Sequence, residues 1–177
     1  SKEIEVAARQ DHGFKYEEKC FADFPWWEKS DNYTSKWDGY DTELEKPVSI
    51  KCIQKGASVE FGDLFRMAEI DEDWILQVGF WEGTKDNIVE EYTIEVSKEK
   101  WVSLLGDVEI FKEAKEEMNN ISNDYEDDYV WEEFRVRYKK LWGNSILQPR
   151  FKRDHGNQKR LQVGITYNNL KEYFGLI

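Results

Sequence analysis

Asp38 and Lys51 are the residues whose types and spacing could do chemistry. Asp38 lies in TSKWDGYDTE and Lys51 in PVSIKCIQK, with twelve residues between them. That separation accommodates a strand end, a turn and half of a second strand, so the two side chains can meet at one sheet edge. A carboxylate there can hold Mg2+, and a lysine can steady an attacking water or the scissile phosphate. Phosphodiester hydrolysis asks for these parts: a metal to offset developing charge, acids to fix the metal, and a cation beside the nucleophile. A lysine inside an apolar strand is unfavourable unless paired or used, which favours a functional Lys51. Asp-Gly is also an ordinary turn pair, so a structural role for Asp38 stays open.

The surrounding elements must place these groups. Residues 2–10 read as helix, and helix resumes from Phe14 with Glu17, Glu18 and Phe21 at helical spacing until Pro25 stops it. The aperiodic stretch 25–35 reads as a loop, where Trp26 and Trp27 could stack on bases. Residues 37–44 and 47–54 read as two strands joined by an acidic turn, and Asp63 caps a short helix ending near Ala68. WILQVGFW, 74–81, is a buried strand, and 88–96 a strand with one wet face. Helices follow over 97–105, 108–118 and 129–142, the last carrying Trp131, Phe134, Tyr138 and Leu141 on one stripe. A late strand pair, 146–151 and 161–166, flanks the turn KRDHGNQKR before a helix over 167–174. This order predicts an α/β (α+β) fold, a central mixed sheet flanked by helices in a single domain over 1–177. Within it, 1–96 would form the core holding Asp38 and Lys51, and 97–177 the helical and basic-hairpin part.

An acid on one strand, x-x-K on the next, then a helix and a buried strand resemble the PD-(D/E)XK nuclease superfamily. Type II restriction endonucleases are among its small members. The likeness covers mainly residues 10–82. It implies a restriction-endonuclease-like core, Mg2+ as cofactor with Mn2+ able to substitute, and double-stranded DNA as a sequence-specific substrate. A palindromic target would require a homodimer. Asp38 would bind the metal and Lys51 would position the nucleophilic water. HGFKYEE offers Glu17, the first choice, or Glu18 as the helix carboxylate that many such enzymes turn toward the metal. The superfamily's second acid, two residues before the lysine, is Ser49 here. Its neutral hydroxyl is a weak Mg2+ ligand, good for a water-mediated contact, and Glu17, Glu18 or Glu60 would have to compensate. Strand alternation puts Ser49, Lys51 and Ile53 on one face, with Val48, Ile50, Cys52 and Gln54 on the other. PRFKRD and QKRLQ look like the basic recognition segment of some small restriction enzymes. Arg150, Lys152, Arg153, Lys159 and Arg160 would hold phosphates, and Gln158 and Gln162 would read base edges.

The charge balance qualifies this picture. A net charge of −12 disfavours a general nucleic-acid binder. Residues 145–163, however, carry five cations against one acid, so this stretch holds +4 and the remainder −16. A local basic face on an acidic protein can still bind phosphate. Ser49 and the acidic bulk favour the alternative, an inactivated nuclease fold acting as a DNA- or protein-binding subunit. Walker loops, GxGxxG, Ser-His-Asp arrangements and HNH-type histidine spacing are missing from the sequence. Two cysteines, Cys20 and Cys52, make no disulfide framework, and His155 has no partner at metal spacing. Without a long apolar run or a signal-like stretch, and with a start at Ser1 that reads as trimmed, a cytoplasmic protein with no membrane segment is expected.

Overall fold

The computed structural model describes residues 15–31, 36–154 and 158–177. The helix expected over 2–10, part of the loop after Pro25, and the turn around His155 lie outside the described residues. The chain is a mixed α/β protein whose elements fall into two units, each with its own sheet.

The first unit contains the described residues up to Ala57, Asp71–Lys98 and Phe174–Ile177. Its five strands run in the order β1 (Trp27–Lys29), β2 (Gly39–Asp41), β3 (Lys46–Gln54), β5 (Trp74–Trp81) and β6 (Ile88–Val96). β3 and β5 pair in parallel at the centre, and the outer pairings are antiparallel. β5 is buried along nearly its whole length, as a central strand covered on both faces must be. β6 alternates toward solvent, the wet face its sequence predicts. Helix α1, residues 15–23, packs Tyr16 and Cys20 into a core shared with Trp27, Val48, Ile50 and Ile75.

Two local readings of the sequence are corrected here. The strand expected over 37–44 is confined to Gly39–Asp41. Asp41 ends it, because its Oδ1 accepts the N–H groups of Glu43 and Leu44 at 2.9 and 2.8 Å and so folds the chain into a turn. The stretch after Pro25 contains β1 as well as loop. Trp27 is buried, stacks on Phe24 at a centroid distance of 4.1 Å, and donates its indole N–H to Asp41 Oδ2 at 2.9 Å. Trp27 is therefore core, not an exposed platform for bases. Trp26 packs edge-on against Phe24.

The second unit comprises Ser58–Ile70 and Glu99–Tyr173. Its antiparallel sheet has the order β4 (Val59–Asp63), β8 (Lys159–Ile165), β7 (Leu147–Arg153). The late hairpin thus forms a separate sheet with β4 instead of extending the central one. β4 alternates over only five residues, Val59 and Phe61 inward, too short a run to be read as a strand from its sequence, and a bulge between Glu60 and Gly62 shifts its pairing with β8. Asp63 caps α2 (Leu64–Ala68) as expected, accepting the Arg66 N–H at 2.9 Å. Helices α3 (Lys98–Leu105), α4 (Ile110–Asn120), α5 (Asp128–Trp142) and α6 (Tyr167–Tyr173), with a 3-10 turn at Tyr125–Asp127 before α5, are the other elements among the described residues. Phe111, Phe134, Tyr138 and Phe151 form an aromatic cluster with edge-on and tilted contacts. Leu141 departs from the expected buried stripe of α5: it is exposed, and the stripe ends at Tyr138. No helix among the described residues is long and apolar enough to cross a membrane.

Candidate site at Glu17, Asp38 and Lys51

The site is assembled by α1. Tyr16 and Cys20, four residues apart, form the stripe that enters the core, and the Tyr16 ring lies directly on Gly79. A Cβ at Gly79 would stand 2.5 Å from that ring. The neighbouring stripe, Glu17 and Phe21, faces the β2 end of the sheet. Phe21 covers Gly39, where a Cβ would come within 2.9 Å of the ring and 2.8 Å of the Glu28 carbonyl oxygen. Gly39 is a strand residue with no left-handed backbone, so it serves close packing and not a turn. The approach of Phe21 to Gly39 lays Glu17, one helical turn earlier, beside Asp38.

Asp38 is clamped on three sides. Its N–H donates to the Val48 carbonyl at 2.9 Å, and its carbonyl accepts the Ser30 N–H at 2.9 Å. Its Oδ2 accepts the Ile50 N–H at 2.7 Å. Pairing between β2 and β3 runs out at Gly39 opposite Val48, so the carboxylate satisfies the next donor along β3.

Glu17 is half-buried and hydrogen-bonded to Asp38. Burial, then the charge of Asp38 and that hydrogen bond, push its pKa up to about 7, while Lys29 and Lys51 act in the opposite direction. Two carboxyl groups therefore share a site with one proton near neutral pH, with two ammonium groups in electrostatic reach.

Of the residues singled out from the sequence, Glu17 and Asp38 are thus brought into contact. Lys51, which alternates to the face of β3 opposite the α1-packed Val48 and Ile50, acts on Glu17 at electrostatic range. Lys29 joins them and was missed, because nothing local distinguishes an exposed lysine on a strand read as loop. Glu18 is exposed on α1. Ser49 is buried on β3 opposite Leu76, two residues before Lys51. Glu60 belongs to the second unit, where its Oε1 lies 3.4 Å from the Arg150 guanidinium. Among the described residues no three His, Cys, Asp or Glu side chains gather as a metal cage. The two-carboxylate set still fits Mg2+, which keeps several waters and is commonly held by one or two carboxylates plus substrate phosphates.

The basic hairpin divides. Arg153 is almost fully buried, with 3 % of its side chain exposed; it pairs with Asp128 at 3.0 Å and donates to the Asp124 carbonyl at 2.6 Å. Its guanidinium also lies over the Trp131 ring. Lys159 donates to the Ile121 carbonyl. Arg150 faces Glu60, as above. Lys152 and Arg160 sit opposite each other, Gln162 opposite Arg150, and Gln158 is exposed. Both thiols are poor nucleophiles, since burial pushes Cys20 and Cys52 each up to about 11.

Compared with models of protein families, curated proteins and solved structures, the chain matches none.

Proposed function

We propose that the protein is a divalent-cation-dependent nuclease that hydrolyses phosphodiester bonds in double-stranded DNA, on a core of PD-(D/E)XK type. The observation that carries this reading is the contact of Glu17 with Asp38, two acids side by side with Lys51 in electrostatic range. Two carboxylates forced together in a half-buried position repel, and either a proton or a cation relieves them. The strain that pushes the Glu17 carboxyl up to about 7 supports this reading, since a divalent ion between the two acids would relieve it.

When bound, Mg2+ supplies a Lewis acid at the phosphoryl oxygen and lowers the pKa of a coordinated water. Glu17 and Asp38 would hold it, and the backbone ties of Asp38 keep its carboxylate from turning away. Lys51 would orient the attacking water and offset negative charge growing on the phosphate. Lys29 adds a second cation for a phosphate oxygen. Cleavage of a palindrome would engage two copies of the chain.

The decisive experiment is incubation with a long, mixed-sequence duplex, with Mg2+ and with EDTA. Discrete fragments only with Mg2+ are expected from a site-specific enzyme, and a smear from one without strong sequence choice. Lys51→Ala should fold and bind DNA yet cut at least about a hundredfold more slowly. Undiminished cutting by that variant would sink the mechanism. A second reading, an inactivated nuclease fold that binds DNA or protein, is favoured by Ser49, which leaves the lysine strand without a carboxylate. DNA left intact with both Mg2+ and Mn2+ would decide for it.

A further inference from the structure

The β7–β8 hairpin aligns two like-charged pairs directly across its ladder: Arg153 opposite Lys159 and Lys152 opposite Arg160. Cations directly opposed across an antiparallel pair repel, and the chain must compensate them or carry the deficit. The first pair is compensated. Arg153 has Asp128 and the Asp124 carbonyl, and Lys159 has the Ile121 carbonyl. The second pair has no hydrogen-bond or ion-pair partner among the described residues, although the same unit carries many acids. Alternation puts Lys152 and Arg160 on the face opposite Phe151, Leu161 and Val163, which are buried. The same outward face carries Arg150 and the amides Gln148 and Gln162 on neighbouring rungs.

We infer that Lys152 and Arg160 form a clamp for the phosphate backbone of duplex DNA, while Arg153 and Lys159 are structural and touch no ligand. The inference rests on the nuclease reading for the identity of the anion, and it assigns the contact to two of the five basic residues of the hairpin. A phosphate set between two opposed cations removes their repulsion and gains two charge-assisted hydrogen bonds. Gln148 and Gln162 offer neutral donors beside it. Arg150 contributes less, because Glu60 already neutralises it. A clamp of two cations without partners among the described residues, on a protein of charge −12, would make binding steeply salt-dependent but local.

The test is fluorescence anisotropy of a labelled mixed-sequence duplex with the full chain in EDTA, which keeps cleavage out of the measurement. Lys152→Gln with Arg160→Gln should weaken binding about tenfold or more and lower the slope of log K against log salt by about two. The melting temperature should hold or rise, because the repulsion is gone. Lys152→Glu alone should stabilise the hairpin by facing Arg160 with an acid, yet weaken binding further. Unchanged affinity in the folded double variant would overturn the clamp, as would a wild-type chain that does not bind the duplex. Poly-glutamate displacing DNA at equal or lower charge concentration would overturn it in favour of an acidic protein partner. Failure to cut with Mg2+, with the double variant still losing affinity, would remove the hydrolytic reading and leave the clamp standing.

Discussion

At the scale of single residues, the Glu17–Asp38 pair ties chemistry to stability. Glu17 titrates near pH 7 in the folded protein against an ordinary 4.5, so the folded state binds the proton more tightly than the unfolded chain does. The linkage sign follows: as pH rises from about 4.5 to about 7 the unfolded state loses its proton first, and this group's contribution to stability falls. Above pH 7 the whole penalty is present. Glu17→Gln should therefore raise stability at pH 8 by on the order of 1 kcal/mol, a figure discounted for partial exposure, and flatten the slope between pH 5 and 7. Urea melts across that range check it. An equal slope in the variant would mean that Glu17 is not the titrating group. Ser49→Asp tests the missing ligand. A carboxylate two residues before Lys51 should raise Mg2+ affinity, read by calorimetry, roughly tenfold through added ligand charge. An unchanged affinity would place the cation away from this strand.

At the scale of elements, two glycines decide where α1 lies. Gly79→Ala would drive a Cβ into the Tyr16 ring, and Gly39→Ala would drive one against Phe21 and the Glu28 backbone. Each should cost about 1–3 kcal/mol as overpacking. Gly39→Ala should also separate Glu17 from Asp38, so the Glu17 carboxyl, followed by NMR titration, should move back toward the ordinary glutamate range. A destabilised variant with an unmoved Glu17 would show that Phe21 does not set the site. A buried polar lock assists. Gln77 is nearly inaccessible; its Nε2 donates to Tyr16 Oη at 3.1 Å and its Oε1 accepts the Thr93 hydroxyl. Tyr16 in turn donates to Glu91 at 3.2 Å, which Lys19 also reaches at 2.9 Å. Burial raises the Tyr16 pKa, so its hydroxyl stays a donor. Gln77→Leu would leave the Tyr16 and Thr93 groups short of a buried partner, costing about 1–3 kcal/mol.

At the scale of the whole molecule, a charge of −12 makes the folded chain repel itself. Raising NaCl from low to moderate concentration should lift the melting temperature by screening that repulsion, while the same salt should weaken the duplex binding proposed above. MgCl2 at matched ionic strength should lift it further, and more at pH 8 than at pH 5, because at pH 5 the proton already relieves Glu17 and Asp38. An identical effect of the two salts at pH 8 would count against a cation site there. The hairpin belongs to the same balance. Arg153 is held by Asp128, so Arg153→Ala should destabilise the second unit by about 1–3 kcal/mol through lost packing and pairing.

Patterning in the sequence determined most elements. WILQVGFW reads as a buried strand, Trp131, Phe134 and Tyr138 as a helix face, and Asp63 as a cap, since each rests on local composition, periodicity or a local hydrogen bond. A lysine in an apolar strand and an acid thirteen positions earlier were likewise legible, because residue type and spacing are local facts. Tertiary structure alone decided the rest. β1 exists because Trp27 finds Asp41 across the sheet, and β4, only five residues long, is a strand because β8 pairs with it. Glu17 and not Glu18 meets Asp38 because Phe21 packs on Gly39 and fixes the rotation of α1. Among the hairpin cations, Arg153 and Lys159 are bound inward and Lys152 and Arg160 face out. Charge is written in the sequence; the partners that neutralise it are set only when distant segments pack.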